Sequence, residues 1–419
     1  MSRFPILLYI DPGTGSMLFT IFIGIASAAV FFFKDLIIRF KARLGTKDVA
    51  KSMTEGQQDL IIFSEGKRYS NIFGPICDEL EKRGVNCLYW TESEDDPVIN
   101  PKYKHVKCEY IGEGNKAFAR LNMLNSKVCL ATTPGLDVYQ WKRSKHPCHY
   151  VHIFHTVDDT LAYRMFGMDY YDSILLTGQF QEQYIRRLEK MRNLPAKRLP
   201  VVGSNLLDSL KAKYDEHMKT TSDSAKEPSD VRTVLLAPSW GESSILNRYG
   251  EKILQSLVNT GYKIIVRPHP QSEVSDPDML RRLRKMFPDN NQVIWDSNSD
   301  NFDSLNRADI MITDFSGIIF DYTLVFDKPV IYADTSFDSA PYDAAWFDEE
   351  LWRFRVLRSL GVQLKEDDFD NMKSIIDGVI EDDRYSTGRA NVCKEAWEHV
   401  GESAARTVDY LTEVIRACS

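Results

Sequence analysis

From about residue 57 onward, short apolar runs alternate with longer segments in which apolar residues recur at helical spacing. Short apolar runs between polar or turn residues predict buried strands, and the longer segments predict helices packed on a sheet. The alternation is typical of β-α-β units, so we expect mostly parallel sheets. The predicted strands are residues 60–63, 85–90, 106–111, 128–131, 150–154, 174–176, 200–202, 233–237, 264–267, 293–295, 310–313 and 330–332.

The alternation is interrupted once, at residues 211–230, which are polar and rich in Lys, Asp, Ser and Thr. This composition predicts a linker with some helix before it. On either side the pattern predicts two similar Rossmann-like domains that face a cleft. The helices predicted with them are residues 72–83, 179–191, 249–260, 278–286, 316–325 and 369–381, and one long helix at 392–415.

The N-terminal segment has a different character, because residues 17–33 form an uncharged apolar run. This length is close to the roughly 20 residues that cross a bilayer as a helix. The basic flank after the run places the rest of the chain in the cytoplasm. A re-entrant hairpin and a cleaved signal peptide are the alternatives, although the small residues Ala26-Ser27-Ala28 lie inside the run rather than after it.

These patterns predict an α/β fold with two Rossmann-like domains and an N-terminal membrane helix. The predicted divisions are a membrane anchor with a basic juxtamembrane segment at 1–50, an N-terminal acceptor domain at 57–210, the linker at 211–230, a C-terminal nucleotide-donor domain at 231–390 and a C-terminal helix at 391–419.

The composition of the chain argues against some classes of protein and site. The 419 residues carry a net charge of −8, which excludes nucleic-acid binding by bulk electrostatics. An anionic substrate must therefore be held by local groups. The seven cysteines form no C-x-x-C pair, which disfavours a disulfide framework and a structural zinc site.

Ligands of open parallel sheets bind outside the carboxyl ends of the strands, so the residues after each predicted strand matter most. The richest set is Thr313-Asp314-Phe315-Ser316-Gly317, where a strand gives way to a helix. Asp314 or Ser316 is suited to cap that helix, and its free N–H groups are suited to bind phosphate beside the small Gly317. Simple helix capping is the alternative.

Two loops place a histidine at a strand end. In Arg267-Pro268-His269-Pro270, Arg267 is a candidate phosphate clamp and His269 a candidate donor or proton-transfer group. The alternative there is a rigid turn. In the other loop, His155 is a candidate general base for an acceptor hydroxyl, with Asp158 or Asp159 to orient it.

Other patterns are weaker or absent. The loop Ala237-Pro238-Ser239-Trp240 is a candidate nucleotide or phosphate contact, or only a turn. The spacing of His146, His149, His152 and His155 fits no common zinc pattern, so we expect no metal site. The chain has no P-loop, no dinucleotide fingerprint after a strand and no G-x-S-x-G, which argues against a P-loop ATPase, an NAD dehydrogenase and an α/β-hydrolase.

Taken in order, these motifs resemble those of the CDP-glycerol:poly(glycerophosphate) glycerophosphotransferase family, which makes teichoic acids and related capsular polymers. The resemblance covers roughly residues 130–415 and extends through Phe320-Asp321 and Lys328-Pro329-Val330-Ile331-Tyr332. It implies a GT-B fold, membrane association, a CDP-alcohol donor and no cofactor or obligatory metal. It also implies that His155 is the base and that His269, Asp314 and Ser316 hold the donor diphosphate. In two places the sequence departs from the family pattern: Thr156 stands where the family usually has Gly, and Gly317 replaces a second Ser.

The resemblance implies transfer of a glycerol-phosphate-type group to a hydroxyl of a lipid-linked or polymer acceptor, with release of CMP, at the cytoplasmic side of a bacterial cell membrane. CDP-glycerol and CDP-ribitol both remain open as donors, and so do primase and polymerase activities. The alternatives are a GT-B glycosyltransferase or epimerase that uses a nucleotide sugar, and an inactive membrane-anchored scaffold of a capsule assembly.

Overall fold

A computed structural model describes residues 56–100, 102–144, 146, 149–221, 231–334 and 337–418. The predicted membrane anchor at 1–50 lies outside the described residues and stays a prediction. Among the residues that are described, no helix has the length and apolar character needed to cross a membrane. Residues 57–419 form one compact unit.

Two parallel six-stranded sheets form the centre of the described chain. The first sheet has the order β3-β2-β1-β4-β5-β6 and the second has the order β12-β11-β10-β7-β8-β9. The strands are β1 (Gln58–Ser64), β2 (Cys87–Thr91), β3 (Val106–Tyr110), β4 (Ser126–Ala131), β5 (His149–Ile153), β6 (Ser173–Leu175), β7 (Thr233–Leu236), β8 (Lys263–Val266), β9 (Val293–Trp295), β10 (Ile310–Thr313), β11 (Val330–Ala333) and β12 (Gly361–Leu364).

Both sheets have the same topology when each is numbered from its own first strand. The order is 3-2-1-4-5-6 in both, which is that of a doubly wound dinucleotide-binding fold. The strand order reverses between β1 and β4 in one sheet and between β7 and β10 in the other, and a crevice opens at each of these switch points. The predicted pair of α/β domains is therefore confirmed, and their strand ends carry the motifs found in the sequence.

Helices cover the faces of the sheets, which explains why strands such as β1 and β10 are almost continuously apolar. The α-helices of the described chain are α1 (Ser70–Arg83), α2 (Asn115–Leu121), α3 (Glu182–Arg192), α4 (Asn205–Thr221), α5 (Ile245–Asn259), α6 (Ser272–Ser275), α7 (Pro277–Met286), α8 (Phe302–Arg307), α9 (Ile318–Val325), α10 (Trp352–Leu360), α11 (Met372–Glu381), α12 (Ser386–Ala396) and α13 (Ser403–Ala417).

The structure differs from the prediction at several elements, and the short helices α2, α6, α8 and α10 were not predicted. The segment 200–202 forms only an isolated bridge between Leu176 and Val201. The first half of the predicted linker is helix α4, which packs against α1 and α9 and so contacts both halves. Strand β12 was missed, because it is short and begins with a glycine that predicts a turn.

The long C-terminal helix was also predicted wrongly, since α12 and α13 are separate. His399 (φ 55°) and Gly401 (φ 80°) have left-handed backbone conformations that end a helix. The Asp208 carboxylate holds the break, because it accepts hydrogen bonds from Trp397 Nε1 (2.9 Å) and from the backbone N–H of Gly401 (2.8 Å) and Ser403 (3.0 Å). This carboxylate caps the start of α13, and its charge suits that end of the helix.

Helix α13 returns to the first sheet. Its buried residues Val408, Leu411 and Val414 belong to the same apolar cluster as Leu60 and Ile62 of β1. The described chain therefore begins with β1 and ends with α13 on the same half, so the C-terminal helix is part of the core of the N-terminal domain.

The two halves share a continuous apolar core. Phe180 and Phe320, one from each half, both pack on Trp352, with ring centroids 4.2 Å and 5.1 Å away. Buried Arg192 of the first half pairs with Asp169 (2.7 Å) and with Asp343 of the second half (2.5 Å). These contacts fix the relative position of the two sheets.

We predict that Leu411→Ala lowers the free energy of unfolding by about 2–5 kcal/mol, because it leaves a cavity between α13 and the first sheet. Urea denaturation followed by circular dichroism measures the change. The matched control is Glu413→Ala, which alters an exposed residue of the same helix and should have little effect. Equal denaturation midpoints for the two variants would show that α13 does not contribute to this core.

Candidate active site

Loops from both sheets meet at the crevices. The chain leaving β10 passes through Asp314, Ser316 and Gly317 into α9, while the chain leaving β5 passes through His155 and Thr156. A Cβ atom placed on Gly317 would lie 3.0 Å from Thr156 Oγ1. The structure therefore brings Thr156, the residue after the candidate base, next to the candidate phosphate site of the second half.

Asp314 organises the second half of this site. Its Oδ1 accepts hydrogen bonds from the N–H groups of Ser239 (2.8 Å) and Ser316 (3.1 Å), and its Oδ2 accepts one from the N–H of Ile245 at the start of α5 (2.9 Å). Burial raises the pKa of this carboxyl, while the amides oppose that rise. Asp314 was predicted as a direct phosphate ligand, but its contacts favour a positioning role, because it joins two loops and one helix.

The start of α9 keeps the features that suggested a phosphate site. The structure gives no acceptor to the N–H groups of Gly317 and Ile318 within its described residues. Seven of the eight residues of α9 are buried, so the helix is held rigidly behind its N-terminus. Free N–H groups at a fixed helix start attract anions.

His155 lies half-buried at the end of the first sheet. Its Nδ1 is 3.1 Å from Tyr163 Oη, and its ring stacks edge-on against Tyr69. Burial lowers the pKa of His155 to about 4, against the opposing effect of the nearby Glu65 carboxylate. The ring is therefore neutral at physiological pH, as a general base requires.

The predicted orienting groups do not contact this ring. Asp158 instead accepts a hydrogen bond from Arg353 Nε (2.8 Å), and Asp159 accepts one from the Arg353 N–H (3.1 Å). Arg353 Nη1 donates to the Phe315 carbonyl (2.8 Å), in the loop of the other half. The prediction that Asp158 or Asp159 orients His155 is corrected: Tyr163 is the contact of the ring, and the two aspartates hold Arg353.

His269, from the second half, lies within electrostatic range of His155, because the charge of His155 lowers the pKa of His269. Its Nδ1 accepts a hydrogen bond from the Gln271 N–H (3.1 Å). In the neutral ring the proton is thus on Nε2, which is free to donate. Burial, followed by the charges of His155 and Arg68, lowers the pKa of His269 to about 4.

Trp240, Ser239 and Arg267 are the other candidate donor-binding residues of the second half. Trp240 is partly exposed, with its ring centroid 6.4 Å from that of His269, while Ser239 is buried. The guanidinium of Arg267 pairs with Asp296 and with the Asn298 carbonyl (2.7 Å). Arg267 was predicted to clamp phosphate, but these contacts favour a role in shaping the loop, because its donors are already engaged.

Among the described residues, Asp321 makes no contact with His155 or His269. It is buried in α9, where it accepts a hydrogen bond from Asn301 Nδ2 (3.4 Å). Burial raises its pKa to about 7. No group of acidic, histidine or cysteine side chains that could hold a metal occurs in the described residues.

The sequence analysis missed Arg68 and its neighbours Glu65 and Tyr69, which follow β1 at the crevice of the first sheet. Arg68 Nη2 donates to Glu65 Oε2 (3.0 Å), and its charge lowers the pKa of both His155 and His269. Its side chain is 53% exposed. The position after the first strand of a doubly wound sheet could have identified this group.

The chain was compared with known proteins. Residues 53–345 match the family model described as CDP-Glycerol:Poly(glycerophosphate) glycerophosphotransferase. Among solved structures, the wall teichoic acid polymerase TagF superposes with a TM-score of 0.60 at 15% identity, covering 92% of this chain and 98% of that one. A UDP-GlcNAc 2-epimerase from Neisseria meningitidis superposes with a TM-score of 0.55 at 12% identity, covering 84% and 99%. The search of curated proteins found no similar chain.

We predict that His155 and His269 make the fold less stable as the pH falls from about 6.5 to about 4. In this window the unfolded chain protonates histidines near their usual pKa of 6.5, while the folded chain does not until about 4. The unfolded state then binds more protons, so acid favours it. His155→Gln and His269→Gln should each reduce the loss of unfolding free energy between pH 7 and pH 5, measured by urea denaturation.

The control for this experiment is His146→Gln, because His146 is exposed. If that variant reduces the pH dependence as much as the two cleft variants do, burial of the cleft histidines is not its cause.

Proposed function

The chain belongs to the CDP-glycerol:poly(glycerophosphate) glycerophosphotransferase family, and from that premise we propose how its two halves perform the transfer. A glycerol-phosphate-type group passes from a CDP-alcohol donor to a hydroxyl of a lipid-linked or polymer acceptor, in cell-wall or capsule polymer synthesis, and CMP is released. The observation that carries this proposal is the contact of Thr156, next to His155, with Gly317 at the start of α9.

The donor diphosphate is assigned to the second half, in a GT-B arrangement. The free N–H groups of Gly317 and Ile318 point to an anion. Neutral His269 adds one more donor through Nε2, since Gln271 fixes its other nitrogen. These groups would stabilise charge on the transferred phosphate.

The acceptor hydroxyl is assigned to His155. Its oxygen attacks the β-phosphorus of the donor, the new O–P bond forms, and the bond from that phosphorus to the oxygen of CMP breaks. The hydroxyl proton moves to His155 Nε2 and later to solvent. This requires Nδ1 to carry the other ring hydrogen, and Tyr163 Oη, 3.1 Å away, is placed to accept it.

Arg68 is the group best placed to balance negative charge between the histidines. It lies within electrostatic range of both rings, and half of its side chain is open to solvent. A guanidinium there compensates for the low positive charge of the rest of the site, where Arg267 and Arg353 are engaged in ion pairs.

Two further features support a teichoic-acid type of acceptor. One solved structure of the wall teichoic acid polymerase TagF is of a variant with CDPG, and its fold is similar to that of this chain. The apolar run at 17–33 would hold the enzyme at the cytoplasmic face of a bacterial cell membrane, near a lipid-linked acceptor.

A nucleotide sugar is the second candidate donor. A UDP-GlcNAc 2-epimerase has a similar fold, and the two crevices would suit any nucleoside diphosphate. Turnover with a nucleotide sugar and none with a CDP-alcohol would favour this alternative.

We predict that Tyr163→Phe lowers kcat for CMP release by about tenfold, because it removes one hydrogen bond to the base and leaves the ring in place. The effect should fall on kcat rather than on the KM for the donor. Tyr139→Phe is a matched control, since Tyr139 is exposed and its hydroxyl donates to the Met165 carbonyl oxygen (3.2 Å). Equal kcat values for wild type and Tyr163→Phe would remove Tyr163 from the mechanism.

We predict that the purified full-length protein in detergent releases CMP from a CDP-alcohol when given a lipid-linked saccharide acceptor. His155→Ala should lower kcat by about 10²–10⁴, the usual contribution of a general base. His269→Ala should raise the donor KM and lower kcat, because it removes a phosphate contact. His146→Ala, at an exposed position, should match wild type.

Undiminished CMP release by His155→Ala would reject this mechanism. No CMP release from CDP-glycerol or CDP-ribitol, together with turnover of a nucleotide sugar, would reject the proposed donor.

A further inference from the structure

Gly317 is a glycine at a position where the backbone does not require one. Its backbone angles are φ −61° and ψ −20°, a conformation that any residue adopts. The backbone therefore does not require a glycine here. A side chain would instead be crowded by Thr156, because a Cβ atom would lie 3.0 Å from Thr156 Oγ1, whereas Asp158 Oδ2 would be in ordinary contact at 3.6 Å.

Thr156 fills that space from the other half of the molecule. Its hydroxyl has no hydrogen-bond partner in the part of the chain that the structure describes. Thr156 is half-buried, so this hydroxyl is accessible to a ligand that enters the cleft. It lies next to Gly317, whose N–H group and that of Ile318 have no acceptor among the described residues.

The two loops are held in this position. Arg353 donates through Nε to Asp158 (2.8 Å) and through Nη1 to the Phe315 carbonyl (2.8 Å), so one buried side chain joins the segments on either side of the contact. Thr156 and Gly317 each lie two residues from one of these partners. The position of Thr156 relative to Gly317 is therefore set by the fold.

We propose that the Thr156 hydroxyl, which the first half supplies across the interface, is a ligand of the donor β-phosphate. Residue 317 is a glycine because a side chain there would crowd Thr156. This inference rests on the proposed function for the identity of the donor. The two departures from the family pattern are then related. Gly317 removes a serine hydroxyl from the loop after β10, and Thr156 supplies a hydroxyl from the loop after β5.

The first test measures binding without turnover, by isothermal titration of full-length protein with CDP, which carries the same diphosphate as the donor. Thr156→Val keeps the shape and removes the hydroxyl, so CDP should bind roughly 10- to 100-fold more weakly. Thr156→Ser keeps the hydroxyl and should stay close to wild type. CMP lacks the β-phosphate, so Thr156→Val should leave CMP binding unchanged.

The second test exchanges the hydroxyl between the loops. Gly317→Ser alone should weaken CDP binding, because the new side chain is driven against Thr156. Thr156→Gly alone should weaken it by loss of the hydroxyl. The double variant Thr156→Gly/Gly317→Ser should bind CDP within about threefold of wild type, which is better than either single variant. Thermal unfolding of all variants checks that the fold is intact.

Several results would overturn the inference while the proposed function stands. These are full CDP affinity in Thr156→Val, an equal loss of CMP and CDP affinity in that variant, or a double variant no better than the worse single variant, each with CMP release by wild type intact. Failure of the proposed function gives a different result, in which wild type neither binds CDP nor releases CMP from a CDP-alcohol.

Discussion

The buried ion pair between Arg353 and Asp158 is the contact on which the site depends most. Asp158 follows the first sheet and Arg353 belongs to α10 behind the second sheet, and the same guanidinium also holds the Phe315 carbonyl. Burial lowers the pKa of Arg353 to about 10, which still leaves it charged at neutral pH. A buried ion pair is weak evidence for added stability, but removal of one partner leaves an uncompensated charge. Its value here is geometric, because it sets the distance between two loops that carry the candidate base and the phosphate site.

The electrostatics of the site follow from the same burial. A molecule of net charge −8 does not attract a diphosphate by its overall field. The cleft instead offers neutral histidines, free helix N–H groups and the one half-exposed guanidinium of Arg68. Such groups bind a phosphate at short range and lose little to rearrangement, since the apolar core around Trp352 holds both halves. Phosphoryl transfer needs positioning and charge stabilisation more than covalent help, which this arrangement provides.

Much of the fold could be read from the sequence. Eleven of the twelve strands among the described residues were predicted, because buried parallel strands are short apolar runs between turn residues. The order of motifs after those strands also indicated where His155, His269 and Gly317 would lie, since the carboxyl ends of parallel strands share one edge. The missed or misplaced elements were β12, the segment 200–202, the break at 397–402, part of α4, and the short helices α2, α6, α8 and α10. At the break, local propensity was overruled by a contact with a residue distant in sequence, since Asp208 caps α13.

The sequence by itself determined the two α/β halves, the family and the positions of both histidines, because these depend on local apolar patterns and on short motifs. Only the tertiary structure decided what the motif residues do. Arg267, Asp314 and Asp158 were candidates for direct contact with substrate or base, and the fold engages them with Asp296, backbone amides and Arg353. The roles proposed for Tyr163, Arg68 and Thr156 also depend on contacts that only the tertiary structure shows. A side chain's polar atoms are free or engaged according to partners that lie far away along the chain, and no local pattern records those partners.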